Sequence, residues 1–122
     1  MDENERIAKL IEAAEALDWR ATPGSDKYPD GSVSPYIEFE QYTPAGEDFF
    51  FTAWGETAEE IEKSVFEYAE SFDETEHVRL NIGARGAPDA YTLAVDAQEI
   101  HTMLNTLAER LLEVEKECST ES

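Results

Sequence analysis

Two runs of strict alternation separated by a short turn constrain this chain more than any other feature. From Tyr36 to Tyr42, Ile37 and Phe39 face one way and Tyr36, Glu38 and Glu40 the other. From Phe49 to Trp54, Phe49, Phe51 and Ala53 oppose Phe50, Thr52 and Trp54. A period of two marks strands with one face buried. Between them, Thr43-Pro44-Ala45-Gly46-Glu47-Asp48 supplies proline and glycine for a bend. The spacing predicts a hairpin. Trp19 to Thr22 is expected to add a first short strand, and Pro23, Gly24, Pro29, Asp30 and Gly31 a polar loop.

Helical periodicity surrounds this meander. Asp2 to Leu17 places Ile7, Leu10, Ile11, Ala14 and Leu17 on one face, with Asp2, Glu3 and Glu5 at its positive end. Thr57-Ala58-Glu59-Glu60 is a capping box opening a helix that turns Ile61, Val65, Tyr68, Ala69 and Phe72 inward. Asp73-Glu74-Thr75-Glu76 repeats the signature. Val78, Leu80 and Ile82 also fit strand alternation, but the Asp73 cap and Gly86 stop favour a short helix from Glu74 to Arg85. Pro88 and Asp89 are expected to begin a short helical turn through Val95. Asp96-Ala97-Gln98-Glu99 then reads as a third cap, opening the longest helix to about Glu117, with Ile100, Met103, Leu104, Leu107, Leu111 and Val114 in one stripe. The expected fold is α+β in the order αβββααα: an N-terminal helix, a three-stranded antiparallel meander, then three or four helices. One domain over residues 1–118 is expected, with residues 119–122 as a frayed tail.

Charge is the main functional signal. The chain of 122 residues has a formal charge of −20 and a pI near 4.1. From Glu38 to Glu76 there are thirteen carboxylates against the single base Lys63, interleaved with nine aromatics. This composition belongs to a folded acidic surface and not to a disordered acidic tail. Such a chain is repelled by nucleic acid and by anionic membranes, and its natural partners are basic. On the central helix, Glu56, Glu59, Glu60, Glu67, Glu70 and Glu74 fall opposite Ile61 and Val65, and residues three or four apart lie about 5–6 Å from one another. That scale resembles the charge spacing of duplex phosphates. A solvated helix face is the plainer account of the same acids. Phe66, Trp54 and Tyr42 are either fringe core residues or exposed anchors beside the charge.

Catalytic signals are weak. His77 and His101 are the only histidines and show no metal-ligand spacing. The serines lack a nucleophile-elbow context. Cys118 has acidic neighbours, which disfavour a thiolate. Gly83-Ala84-Arg85-Gly86 is too short for a phosphate loop. A small metal-dependent enzyme using His77 or His101 is the outlying alternative. No enzyme activity, cofactor, metal or small-molecule substrate is expected. One cysteine forms no internal disulfide, and no apolar leader follows Met1 to Arg6, so a cytoplasmic setting is expected.

Two resemblances follow. Tyr42-Thr43-Pro44-Ala45-Gly46-Glu47-Asp48-Phe49 followed by the Thr57-capped acidic helix resembles short proteins of phage and conjugative elements, over about Tyr36 to Leu112. In order of elements only, Asp2 to Phe72 resembles small phage-borne anti-CRISPR proteins, which occupy the PAM-reading cleft of the type II RNA-guided nuclease. That resemblance implies an acidic DNA mimic engaging a basic DNA-binding protein, a CRISPR effector nuclease above others. The residues expected to meet the partner are Glu38, Glu40, Glu47, Asp48, Glu59, Glu67 and Glu70 as phosphate stand-ins, with Phe66 or Trp54 as anchor. The alternative is an accessory or regulatory protein of a mobile element, binding a basic partner that does not read DNA.

Overall fold

A computed structural model describes residues 2–83 and 89–120, with side chains to 118. The order is α1 (Glu3–Ala16), β1 (Arg20–Lys27), β2 (Val33–Tyr42), β3 (Asp48–Trp54), α2 (Ala58–Ser71), α3 (Glu74–Asn81) and α4 (Ala90–Thr120). The strands form one antiparallel sheet in the order β1-β2-β3. This is the α+β architecture that the periodicities predict.

The alternation in β2 and β3 sorts the sheet into two faces. Ile37, Phe39, Phe49, Phe51 and Ala53 are buried on the inner face. Trp19 sets its edge against Phe39 and Phe51, with ring centroids 6.4 and 5.7 Å away, and Phe51 stacks on Tyr68 of α2 at 4.5 Å. α1 meets β1, α2 meets β3, and α4 packs against all three other helices. Leu10, Ile61, Val65, Ile100, Leu104, Leu107 and Leu111 close the core. Each such side chain contributes about 1.5–3 kcal/mol by leaving water.

The helix starts are capped by carboxylate or hydroxyl oxygens. Asp2 accepts from Glu5 N, Thr57 from Glu60 N, and Asp73 from Glu76 N. At α2 the box is complete, because Glu56 N donates to Glu60 Oε2 at 2.7 Å.

The structure corrects three expectations. β1 runs on to Lys27, through the segment expected as loop. Pro23 is tolerated because β1 is an edge strand. Gly24 leaves room for the Tyr36 ring, which lies across it: a Cβ there would sit 2.7 Å from the ring tip. The bend is confined to Tyr28–Ser32, where Gly31 takes φ +89° and Asp30 accepts from Ser32 N. Second, α3 ends at Asn81, short of Arg85. Arg85, Gly86 and Pro88 lie outside the described residues. Third, no break separates Val95 from Asp96. α4 is continuous from Ala90 to Thr120, past the expected end near Glu117, and Asp89 accepts from Thr92 N at its start.

Candidate functional site

Because the helices take the inner face, the outer face presents its side chains to solvent. Strand register arranges them in rows: Gly24, Tyr36 and Trp54; Thr22, Glu38 and Thr52; Arg20, Glu40 and Phe50; then Tyr42 and Asp48. Tyr42, Phe50 and Trp54 are exposed, by 63%, 59% and 43%. These are large fractions for aromatics, which fold stability alone would place inside. Tyr36 holds the Trp54 ring edge-on at 4.9 Å.

The carboxylates of this face crowd one another. Glu40 is held above the usual carboxylate range, chiefly by the neighbouring Asp48 carboxyl and then by desolvation, with Glu38 adding to the push. Arg20 pairs with Glu40 and opposes the shift. Two carboxylates thus push on Glu40, and one cation opposes them. Glu40 and Asp48 are diagonal neighbours in the register of β2 and β3, within reach of one another for side chains of this length.

The acids of α2 form a separate field. On one flank Ser64 accepts from the Trp54 backbone N–H at 3.1 Å, and Tyr68 stacks on Phe51. The other flank carries Glu62 and Phe66 toward α4. The crest between them therefore points away from the outer face of the sheet. Glu59 is 3.7 Å from Lys63. Glu67 and Glu70 are exposed. Phe66 is 45% exposed beside Ala69, Glu70, Asn105, Ala108, Glu109 and Leu112, which line a shallow groove of about 110 Å³. The acids expected to meet one partner together thus fall in two fields, one on the sheet and one on α2. Glu62 belongs to neither, being only 6% exposed. Burial, then the Glu115 carboxylate, pushes its pKa up, and Arg6 pairs with Glu115 nearby.

Glu47 also leaves the expected surface set. Its side chain turns inward, 16% exposed, with Oε1 3.4 Å from His77 Nε2. Asp96, expected as a cap, is a helix-interior residue only 2% exposed. It accepts from Thr43 Oγ1 at 2.5 Å and from Ala45 N at 3.2 Å. Thr43 Oγ1 in turn accepts from Glu47 N at 3.0 Å. Burial, and then the Asp96 carboxyl, push Glu47 up to about 7. Burial lowers the His77 pKa, against the pull of Asp96. The cluster binds the β2–β3 turn to α3 and α4. One sequence signal could have found it: Asp96 falls in phase with Leu93, Ile100, Leu104 and Leu107, on the buried stripe.

The histidines do not build a metal centre. His101 Nδ1 lies 2.9 Å from Glu74 Oε2, and His77 faces Glu47, so each addresses a different acid. Among the described residues no group of three His, Cys, Asp or Glu side chains is arranged to hold a metal ion. Nor is any described helix long and apolar enough to cross a membrane. No family model matches this sequence, and no curated protein or solved structure is significantly similar to it.

Proposed function

We propose that this protein is a non-enzymatic inhibitor that binds the basic, nucleic-acid-reading surface of a partner protein, taking the place of DNA there. The observation that carries the reading is the outer sheet face. Glu38, Glu40 and Asp48 crowd there against a single Arg20, beside exposed Tyr42, Phe50 and Trp54. Arginines arriving from a partner would relieve that repulsion through charge-assisted bidentate pairs. The aromatics supply the apolar anchors that dominate interface energies. A net charge of −20 steers the encounter and repels nucleic acid itself. Glu59, Glu67 and Glu70 contribute to the long-range field from the crest of α2, outside the contact. The resemblance of Asp2 to Phe72 to anti-CRISPR proteins in order of elements makes the PAM-reading cleft of a type II CRISPR effector nuclease the first target to try.

The test is competition. Displacement of a fluorescent PAM-bearing duplex from such a nuclease is measured at 50 and 200 mM salt. Displacement that weakens steeply with salt is expected. Glu38→Lys with Asp48→Lys should abolish it. Glu67→Lys with Glu70→Lys changes net charge equally and should lower it by less than about tenfold. Failure of the wild-type chain to displace DNA from basic DNA-binding proteins at low salt would overturn the reading. Capture of a partner without nucleic-acid affinity would replace it with the accessory-protein alternative.

A further inference from the structure

At one corner, where β3 passes into α2, the outer face of the sheet meets the acids at the start of α2. An open cleft of roughly 500 Å³ lies there, with Tyr28, Pro35, Trp54, Glu56 and Glu60 among its walls. We propose that this cleft is the seat for one arginine side chain of the basic partner. The inference rests on the reading of a basic partner given above and names the group that enters.

The geometry is built into the chain. Gly55 lets the end of β3 lie directly on the first turn of α2: a Cβ there would come within 2.6 Å of Glu60 Cβ and 2.9 Å of Ile61 N. The Gly55 N–H is held by Pro35 O at 3.1 Å, tying this corner to β2. Trp54 is fixed by its backbone bond to Ser64 Oγ and by the edge contact with Tyr36. Glu60 is fixed by accepting from Glu56 N. Two exposed aromatics, Trp54 and Tyr28, therefore line one cleft with the carboxylates of Glu56 and Glu60, and of these side chains Trp54 and Glu60 are held in place.

That combination selects a guanidinium. A planar, weakly hydrated cation stacks on indole or phenol while its N–H fork reaches a carboxylate. An ammonium lacks the plane and the fork. An anion is repelled by Glu56 and Glu60 and finds few donors, because N–H groups of this helix start are taken. Glu56 N is bonded to Glu60, Ala58 N to Glu3 and Glu60 N to Thr57. A second copy of the chain would bring its own charge of −20 to the same acids.

The experiment uses the full chain labelled with ¹⁵N and two probes, a tetra-arginine and a tetra-lysine peptide, at low salt. The chain has two tryptophans. Trp54 is exposed and Trp19 is 2% exposed, so the buried indole serves as internal control. A saturable shift of the Trp54 indole N–H by the arginine peptide is expected, with the lysine peptide binding about tenfold weaker. Glu56→Gln, on an exposed residue whose side chain supports no described hydrogen bond, should weaken arginine binding several-fold, and Trp54→Ala, followed through the backbone amide shifts of Gly55 and Glu56, about tenfold. Glu67→Gln should change it by less than twofold. Equal binding of the two peptides, or equal weakening by Glu56→Gln and Glu67→Gln, would overturn the seat. If the chain displaces DNA but the arginine peptide leaves Trp54 unmoved, the partner reading stands and the seat falls. If the peptide binds as expected and DNA is not displaced, the seat stands without that target.

Discussion

Thr43 Oγ1 and Asp96 Oδ2 meet at 2.5 Å across 53 residues of chain, and the bond is buried. It joins the turn of the hairpin to the interior of the longest helix. Asp96 also receives the Ala45 N–H, so its carboxylate serves two donors of the turn. Asp96→Ala leaves both without that acceptor, and a buried orphan donor costs about 1–3 kcal/mol. The same change removes the negative neighbour of Glu47. Urea unfolding at pH 5, where Glu47 holds its proton, should therefore show a loss of about 2–3 kcal/mol. At pH 8, where relief of repulsion offsets part of the loss, the deficit should shrink. A deficit equal at both pH values would mean that the two carboxylates do not interact.

The elements that this bond joins differ in how legible they are. Strands β2 and β3 are readable because one face is buried and the other wet, so chemistry alternates residue by residue. The start of α2 is readable because Thr57 and Glu60 satisfy the helix locally. β1 is only partly readable: Pro23 and Gly24 signal a loop, yet an edge strand accepts the first and the Tyr36 ring packs across the second. Asp96 misleads because Asp-Ala-Gln-Glu has the local chemistry of a cap. Its real partners, Thr43 and Ala45, are distant in sequence. Glu47 misleads for a related reason, since an acid in a polar turn faces water unless tertiary packing turns it in. The outer-face acids Glu38 and Glu40 were legible from alternation, whereas Asp48, expected in the turn, opens β3; their separation from Glu67 and Glu70 depends on which flank of α2 faces β3.

Glu47 makes stability depend on pH with a definite sign. Its native pKa is about 7, against an ordinary value of 4.5. Between those values the native state holds a proton that the unfolded chain has lost. The contribution is therefore full below pH 4.5 and is lost as pH rises through 7. His77 acts oppositely: its lowered native pKa costs stability as pH falls below its ordinary 6.5. Glu47→Gln isolates the first effect, since an amide can donate to Asp96 without titrating. The stability difference between variant and wild type should be near zero at pH 4.5 and favour the variant by about 2 kcal/mol at pH 8. Thermal unfolding across that range measures it. A difference that does not vary with pH would place the Glu47 titration in its ordinary range.

Gly24 and Tyr36 give a test that separates stability from surface shape. A methyl at residue 24 must push the Tyr36 ring aside, because its contacts at 2.7 Å are with that ring. The ring can swing, and alanine reduces the freedom of the unfolded chain by about 0.4–1 kcal/mol. Gly24→Ala should therefore change stability by less than about 1 kcal/mol. It should still move the Trp54 indole resonance, because Tyr36 contacts Trp54 at 4.9 Å. The Trp19 resonance should stay in place. Loss of more than about 2 kcal/mol would show that Tyr36 is locked where it lies.

Phe66 decides which of the two acidic fields touches the partner. It stands 45% exposed over a groove rimmed by Glu70 and Glu109, while Phe50 stands 59% exposed on the sheet beside Glu40. Neither belongs to the buried core, so Phe66→Ser and Phe50→Ser should each alter stability by less than about 1 kcal/mol in thermal unfolding. Truncating an aromatic anchor at the centre of an interface costs 2 kcal/mol or more, a factor of about thirty in affinity. If the sheet is the contact, Phe50→Ser should lose that factor in the DNA-displacement assay and Phe66→Ser should stay within about twofold of wild type. The reverse pattern would move the contact to the groove between α2 and α4, with Glu67 and Glu70 as the acids that meet the partner. The two substitutions leave the net charge alike, so any difference between them reports shape and contact and not the long-range field.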